Sequence, residues 1–208
     1  MWNSYKSTVL CYLIYNRKAI LMIVARYIIH LHNNGFNAKS AADLLFKARD
    51  FVDNSVIIRD SRISSKYVEF DITVAAERLD NLLMILAKIS PVANTVEIVD
   101  KEMEKENALE YAKSLFNDER YWECHEVLEG VWKKESGDEK SLLQGIILTC
   151  AAFVHSQKDE DDICVSILGR AMEKLQNANG IYYGIDMEWF KKLVLNIMST
   201  RNIQYFKI

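Results

Sequence analysis

The stretch ERYWECHEVLEGVWKK, residues 119–134, predicts an amphipathic helix with an unusual inward face. Trp122, His125, Glu129 and Trp132 recur at intervals of three and four residues, and side chains with this spacing line one stripe of an α-helix. Glu126 lies about 100° round the helix from His125 and therefore belongs to a neighbouring face. The stripe presents an imidazole and a carboxylate one turn apart, between two tryptophans, and these are the candidate functional residues.

A second helix, predicted over residues 140–157, pairs with the first as an antiparallel hairpin. With the turn centred near Gly137, the numbers of facing residues add up to about 274. Gly145 then faces the turn that carries Glu129, and this close approach would explain a glycine inside a helix. We expect the adjacent Gln144 to hydrogen-bond Glu129 and so to satisfy a buried carboxylate.

Three more helices are predicted in this half, over residues 108–116, 161–175 and 187–198, each from a stripe of apolar residues. Asn117 and Asp118 can cap the helix of the first stretch, and Asp186 can cap the last helix. His155 is expected at the end of the hairpin that is remote from Glu129. The final residues, 200–208, are expected on the surface or in an edge strand.

Three segments, FNDERYWECHEVLEGVWKK, SLLQGIILTCAAFVHSQ and YYGIDMEWFKKL, resemble a helical family of bacteria and archaea, the domain of unknown function 309. The family hallmark is H-x-x-x-E-x-x-W/Y, which is matched by His125, Glu129 and Trp132. Its further signals match the Gln144-Gly145 pair, His155 and the segment Gly184-Ile185-Asp186. The resemblance covers roughly residues 108–198 and implies a helical bundle, a suspected metal-binding role for the His/Glu motif and no established reaction.

Two interpretations of the motif follow. In the first, His125 and Glu129 hold Zn²⁺, Mn²⁺ or Fe²⁺, with Glu126 or His155 assisting. A catalytic zinc usually has three protein ligands and one helix face offers only two, so a third ligand must come from elsewhere. In the second, which the ligand count favours, the His–Glu pair is a structural clamp between Trp122 and Trp132. Acid–base catalysis without a metal is the weakest alternative.

The first half of the chain predicts a small α/β domain. Strand patterns occupy residues 22–32, 56–59, 67–74 and 96–99, and helical patterns occupy residues 41–52 and 75–89. The order strand-helix-strand-strand-helix-strand is that of the ferredoxin-like sandwich. The fold class is therefore α+β, with a ferredoxin-like domain at 22–100 and an all-α helical domain at 101–208. Residues 1–21 are an extra helix, a strand or an extension upstream of Met22.

Charge argues against a nucleic-acid partner. Residues 101–208 carry 14 basic and 19 acidic side chains, and the outward face of the third strand is Tyr67, Glu69, Asp71 and Thr73. Two acids on that face repel phosphate. His30 and His32 share a strand face, but two ligands do not make a metal site.

Membrane association is not expected, because Asn16-Arg17-Lys18 interrupts the apolar N-terminal stretch. Cys11, Cys124, Cys150 and Cys164 stand apart from one another and are expected to be reduced thiols of a cytoplasmic protein. Two function classes follow: a scaffold or interaction protein, which we favour, and a metal-dependent enzyme such as a hydrolase. The sequence leaves the substrate, the partner and homo-oligomer formation open.

Overall fold

The structure is a computed structural model that describes residues 10–15, 18–99 and 102–208. The chain divides into two compact units, and the boundary along the chain lies between Lys101 and Glu102. Within the N-terminal segment that the sequence left open, residues 10–15 form a strand, whereas residues 1–9, 16 and 17 lie outside the described residues. The side chain of Cys11 also lies outside them.

The described residues of the first unit form an antiparallel sheet of five strands. They are β1 (Leu10–Tyr15), β2 (Lys18–His32), β3 (Ile57–Ile63), β4 (Tyr67–Ala75) and β5 (Val92–Glu97). The first part of β2 pairs with β1, and the rest lies between β4 and β5, while β3 pairs with the other edge of β4. The predicted strands are present, but β2 begins before residue 22 and β5 begins before residue 96.

Two helices, α1 (Ala41–Asp50) and α2 (Leu79–Leu86), pack on one face of this sheet. Alternate residues of β2 and β4 point to the same face of a pleated sheet, and here that face is apolar. A single-turn 3-10 helix over residues 76–78 precedes α2, so α2 begins later than predicted. The core of the unit is formed mainly by Ile29, Leu31, Leu44, Ala48, Val68, Phe70, Ile72, Leu82 and Leu86.

The opposite face of the sheet is charged, but the prediction that it lies outward is wrong for its central residues. Glu69 and Asp71 are only 4% and 3% exposed. Burial is tolerated because each carboxylate is paired: Arg62 contacts Glu69, and Arg26 donates two hydrogen bonds to Asp71. The alternation in β4 therefore shows correctly that Glu69 and Asp71 share the polar face of the sheet, but it does not show that this face is buried at these two residues.

The second unit is a bundle of five helices with one short hairpin. The helices are α3 (Lys105–Asn117), α4 (Tyr121–Trp132), α5 (Gly137–Ser156), α6 (Asp161–Leu175) and α7 (Met187–Thr200). The hairpin strands β6 (Ile181–Tyr182) and β7 (Ile185–Asp186) precede α7. Within the described part of the chain, every helix is too short or too polar to cross a bilayer.

Helices α4 and α5 form the expected antiparallel hairpin. Cys124 and Cys150, whose numbers satisfy the predicted pairing rule, have their Sγ atoms 3.5 Å apart. At the end of the hairpin, the Gln157 side chain donates a hydrogen bond of 2.8 Å to the Glu119 carbonyl oxygen. The predicted register is thereby confirmed.

Gly145 has a packing reason, but it is not the predicted one. A Cβ atom at this position would lie 2.4 Å from Cγ of Leu175, which belongs to α6. The atoms that an added Cβ would meet first therefore belong to α6. Periodicity could not show this, because it gives no information on which third helix packs against α5.

One predicted helix cap is present, whereas a second cap and the C-terminal segment differ from expectation. Asp186 caps α7 as predicted, since its carboxylate accepts a hydrogen bond from the Trp189 backbone. Asn117 does not cap α4; its side-chain amide binds both backbone polar groups of Ile208. The final residues form no edge strand, because they follow an irregular path along the bundle.

Candidate functional site

The motif residues lie on α4 with the geometry that the helical stripe predicts, but the imidazole contacts two carboxylates. Nε2 of His125 is 3.7 Å from Oε1 of Glu129, one turn along the helix. Nδ1 of His125 is 3.4 Å from Oε1 of Glu126. The neighbouring-face residue Glu126 therefore reaches the imidazole, which lies between two glutamates that approach different ring nitrogens.

Glu129 is positioned by its own helix. Its second carboxylate oxygen lies 3.4 Å from Nζ of Lys133, and this is the ordinary i,i+4 spacing of an ion pair on a helix. The predicted hydrogen bond from Gln144 is absent among the described residues. The Glu129 side chain is 30% exposed and the His125 side chain is 18% exposed, so the pair lies at the edge of the bundle.

The two tryptophans of the stripe have different environments. Trp122 is 6% exposed and belongs to the core. Trp132 is half-buried at the end of α4, and Nζ of Lys140 lies 4.4 Å from the centre of its ring. This cation–π contact joins the end of α4 to the beginning of α5. Buried Nε1 of Trp132 and Nδ1 of His125 have no hydrogen-bond partner within the part of the chain that the structure describes.

The assisting ligands suggested by the sequence do not complete a metal site. His155 lies at the far end of α5, where its Nδ1 contacts the Glu160 carboxylate. Within either unit taken by itself, no three His, Cys, Asp or Glu ligand atoms of the described residues lie within 4.8 Å of one another. The motif thus supplies one His–Glu pair and one further carboxylate on the other ring nitrogen.

A small cavity lies on a different side of α4. It has a volume of about 10 Å³ and is lined by Cys124 and Leu128, together with residues of α3, α5 and the β6–β7 hairpin. His125 and Glu129 do not line it. A volume of this order holds a single water molecule, so the cavity does not resemble a substrate cleft.

Sequence reasoning missed a charged cluster on the sheet of the first unit. The guanidinium of Arg62 contacts Glu69 and lies 3.2 Å from Asp60, and Nε2 of His30 is 3.3 Å from Glu69. Burial alone would raise the pKa of Glu69, but Arg62 and His30 more than offset it and lower that pKa to about 2. The signal was present in the strands, because His30 and Arg62 are both direct cross-strand neighbours of Glu69.

The described thiols are structural. Cys124, Cys150 and Cys164 are free and buried. Burial raises the pKa of Cys150 well above its usual value and that of Cys164 to about 12. Because the thiolate is the reactive form, this environment disfavours nucleophilic chemistry.

The helical bundle of the second unit is similar to a known protein family. The family model "Domain of unknown function (DUF309)" matches residues 109–167, a segment that includes His125 and Glu129. A crystal structure of a conserved hypothetical protein from Thermus thermophilus is 30% identical, and the match covers 43% of this chain and 94% of that chain. The chain belongs to the DUF309 family.

The relationship confirms the resemblance seen in the sequence and concerns the second unit. The superposition with the Thermus thermophilus protein has a TM-score of 0.39. No curated protein matches the chain. The first unit lies outside the residues matched by the DUF309 model.

Proposed function

We propose that this DUF309 protein is an interaction protein whose helical unit is a scaffold, and that its H-x-x-x-E-x-x-W motif stabilises that scaffold. The observation that carries the proposal is the position of the His125 imidazole. One ring nitrogen faces Glu126 and the other faces Glu129, so the ring bridges two carboxylates of its own helix. Only Glu129 of the two approaches Nε2, so a metal ion on that nitrogen would have two protein ligands from this helix, fewer than the three that a catalytic zinc usually has.

The surrounding contacts support a stabilising role. Lys133 pairs with Glu129 on α4, and Lys140 covers the ring of Trp132 at the turn into α5. Just beyond that turn, Nζ of Lys105 lies 2.9 Å from Glu135 and 2.6 Å from Glu139. These contacts join α3, α4 and α5 at one end of the bundle, next to the end of the motif.

For the first unit we propose a ferredoxin-like sandwich. The strand order β5-β2-β4-β3, with antiparallel neighbours, supports it, as do the two helices on one face of the sheet. Such sandwiches serve many unrelated functions, so this architecture is compatible with an interaction role but does not specify a partner.

A second candidate function is divalent-metal binding by His125 and Glu129, with catalysis of a hydrolase type. The observation in its favour is that buried Nδ1 of His125 lacks a hydrogen-bond partner among the described residues. A buried polar atom without a partner often marks a water or an ion. A third protein ligand is missing among the described residues around His125, and zinc sites usually have at least three. Metal binding is therefore the second candidate.

Thermal unfolding with and without metal distinguishes the two candidates. The measurement compares wild type with His125→Ala and Glu129→Ala, in a chelator and in excess Zn²⁺ or Mn²⁺. If the motif is structural, each variant loses about 0.5–1.5 kcal/mol of stability, and metal changes none of the midpoints. If the motif binds metal, wild type gains stability from the metal and both variants lose that gain.

Two substitutions serve as matched controls. His32→Ala removes an exposed histidine of the sheet, and Glu173→Ala removes an exposed glutamate of α6. Both should leave the free energy of unfolding within about 0.5 kcal/mol of wild type. A metal-dependent midpoint in wild type that both motif variants abolish, and both controls retain, would overturn the structural proposal.

A further inference from the structure

The last residues of the sequence lie in a groove of the helical bundle. The segment after α7 has no regular secondary structure, and we call residues 202–208 the tail. The Phe206 ring packs against Phe116, Phe153 and Phe190 at centroid distances of 5.5, 5.6 and 5.5 Å. The tail therefore supplies an aromatic side chain to a pocket that α3, α5 and α7 build together.

The groove continues on both sides of that pocket. The Tyr205 ring packs at 5.3 Å against both Tyr121 and Phe153, and its hydroxyl is 3.3 Å from the hydroxyl of Ser156. At the other end, the Asn117 side chain accepts a hydrogen bond of 2.8 Å from the Ile208 N–H and donates one of 3.0 Å to the Ile208 carbonyl. The groove thus contacts the side chains of Tyr205 and Phe206 and the backbone of Ile208.

The walls of the groove also contact one another. Phe116 lies 5.1 Å from Tyr121, 6.0 Å from Phe153 and 6.2 Å from Phe190 between ring centroids, and with the tail in place all four rings are at most 1% exposed. Such an interlocked aromatic wall is preorganised, which lowers the entropy that a ligand must lose on binding.

The tail is attached to the groove by side chains and by Asn117, and not by a backbone ladder. Among the described residues, no backbone–backbone hydrogen bond involves residues 202–208. Asn202, Gln204 and Lys207 are exposed. Arg201, which links the tail to α7, has a φ of 53°, a conformation that costs free energy for a residue other than glycine. The tail can therefore leave its groove without breaking a sheet or a helix.

We propose that this groove is a peptide-binding site, and that the tail of a second copy of the chain is its ligand in trans. The seated tail itself shows which chemistry the groove accepts. A second copy carries the identical segment, so reciprocal exchange of tails creates a closed symmetric dimer without any new type of contact. This inference goes beyond the scaffold role and is independent of His125 and Glu129.

The direct test uses a chain that ends at Arg201 and a synthetic peptide of residues 202–208. Calorimetry should show one peptide bound per chain with a dissociation constant below about 1 mM, a range in which short peptides are still measurable. A peptide with Phe206→Ala should bind at least about 100-fold more weakly, because it leaves the aromatic pocket empty. A peptide with Lys207→Ala is the matched control and should bind like the native one, because Lys207 is exposed. A folded shortened chain that binds no peptide would overturn the proposal.

A second variant covers the case in which the shortened chain does not fold. A protease site is inserted between Arg201 and Asn202 of the full chain, which is cleaved after folding and mixed with a fluorescent tail peptide. Replacement of the resident segment by the labelled peptide supports the site. Failure of the labelled peptide to enter, while the cleaved segment remains bound, would contradict exchange.

The identity of the ligand in trans is tested by mixing the shortened chain with the full chain and measuring association by analytical ultracentrifugation. A mixed dimer is expected with the full chain, and none is expected with full-chain Phe206→Ala. Peptide binding without any mixed dimer would contradict the assignment of the ligand to a second copy.

Discussion

The charged cluster of the first unit and the charged motif residues of the second unit lie in different environments. In the sheet unit, Arg62 and Glu69 are 2% and 4% exposed and contact each other directly. In the helical unit, the charged residues of the motif lie at the edge, where the side chains of Glu129 and Lys133 are 30% and 58% exposed. The core of that unit is aromatic instead, around Phe116. In this protein the conspicuous sequence motif and the buried ion pair between Arg62 and Glu69 are therefore different sites.

The difference has a physical origin. An exposed ion pair gains little because water and salt screen it, so the median contribution is below about 1 kcal/mol. A buried charge that loses its partner is left without solvation, which costs several kcal/mol. We therefore expect substitutions in the sheet cluster to have larger effects on stability than substitutions in the motif.

The largest effect is expected for Arg62→Met. This change leaves Glu69 buried without its guanidinium partner, and it should lower the free energy of unfolding by about 3–5 kcal/mol. Urea denaturation measures it. The double variant Arg62→Met with Glu69→Gln should recover part of the loss, because position 69 then no longer holds a buried charge without its guanidinium partner. A loss of stability smaller than that of His125→Ala would contradict the expected difference between the buried and the exposed charges.

The pH dependence of stability should also differ between the units. The pKa of Glu69 is about 2 in the folded protein, below the ordinary value of 4.5, because Arg62 and His30 more than offset burial. A carboxyl group with a lowered pKa stabilises the fold above its unfolded pKa, and this contribution is lost as pH falls from about 4.5 towards 2. Urea midpoints between pH 7 and pH 3 should fall more steeply for wild type than for Glu69→Gln. Parallel curves would argue against this contribution.

An intermediate effect is expected inside the helical unit for Gly145→Ala. The new methyl group would lie 2.4 Å from Cγ of Leu175, and such overpacking should cost about 1–3 kcal/mol. Gly130→Ala is the matched control, because its methyl group meets nothing within 4 Å and alanine favours a helix. Equal unfolding midpoints for the two variants would show that α6 does not approach α5 as described.

The smallest effect is expected for Tyr121→Phe. The Tyr121 hydroxyl is buried and lacks a hydrogen-bond partner within the described part of the chain. Removing it should leave stability unchanged or raise it by up to about 1 kcal/mol, because no hydrogen bond is lost. Differential scanning calorimetry gives the midpoint. A loss above about 1 kcal/mol would indicate that the hydroxyl is hydrogen-bonded, and would weaken the contrast between the aromatic core and the charged sheet.

Local patterns predicted most of the architecture. The alternation in β4 and the stripe in α4 are properties of neighbouring residues, and both elements formed where their periodicity indicated. The register of α4 against α5 followed from the short turn between them. The DUF309 family was also predicted, because several spaced signals agreed.

Contacts between distant segments could not be predicted in the same way. The approach of Leu175 to Gly145, the binding of Ile208 by Asn117 and the pairing of Arg62 with Glu69 depend on which elements become neighbours. The candidate site shows the same limit. Its stripe lies on α4 as the periodicity predicts, whereas the expected hydrogen bond from Gln144 to Glu129 is absent among the described residues.

The most direct test of the structural role of the motif is the metal content of tag-free protein. Wild type, His125→Ala and Glu129→Ala are loaded with zinc and manganese, passed over a desalting column and analysed by plasma mass spectrometry. We expect far less than one metal ion per chain in wild type and the same amount in both variants. Near-stoichiometric metal in wild type that is lost in both variants would contradict it and make the motif a metal site.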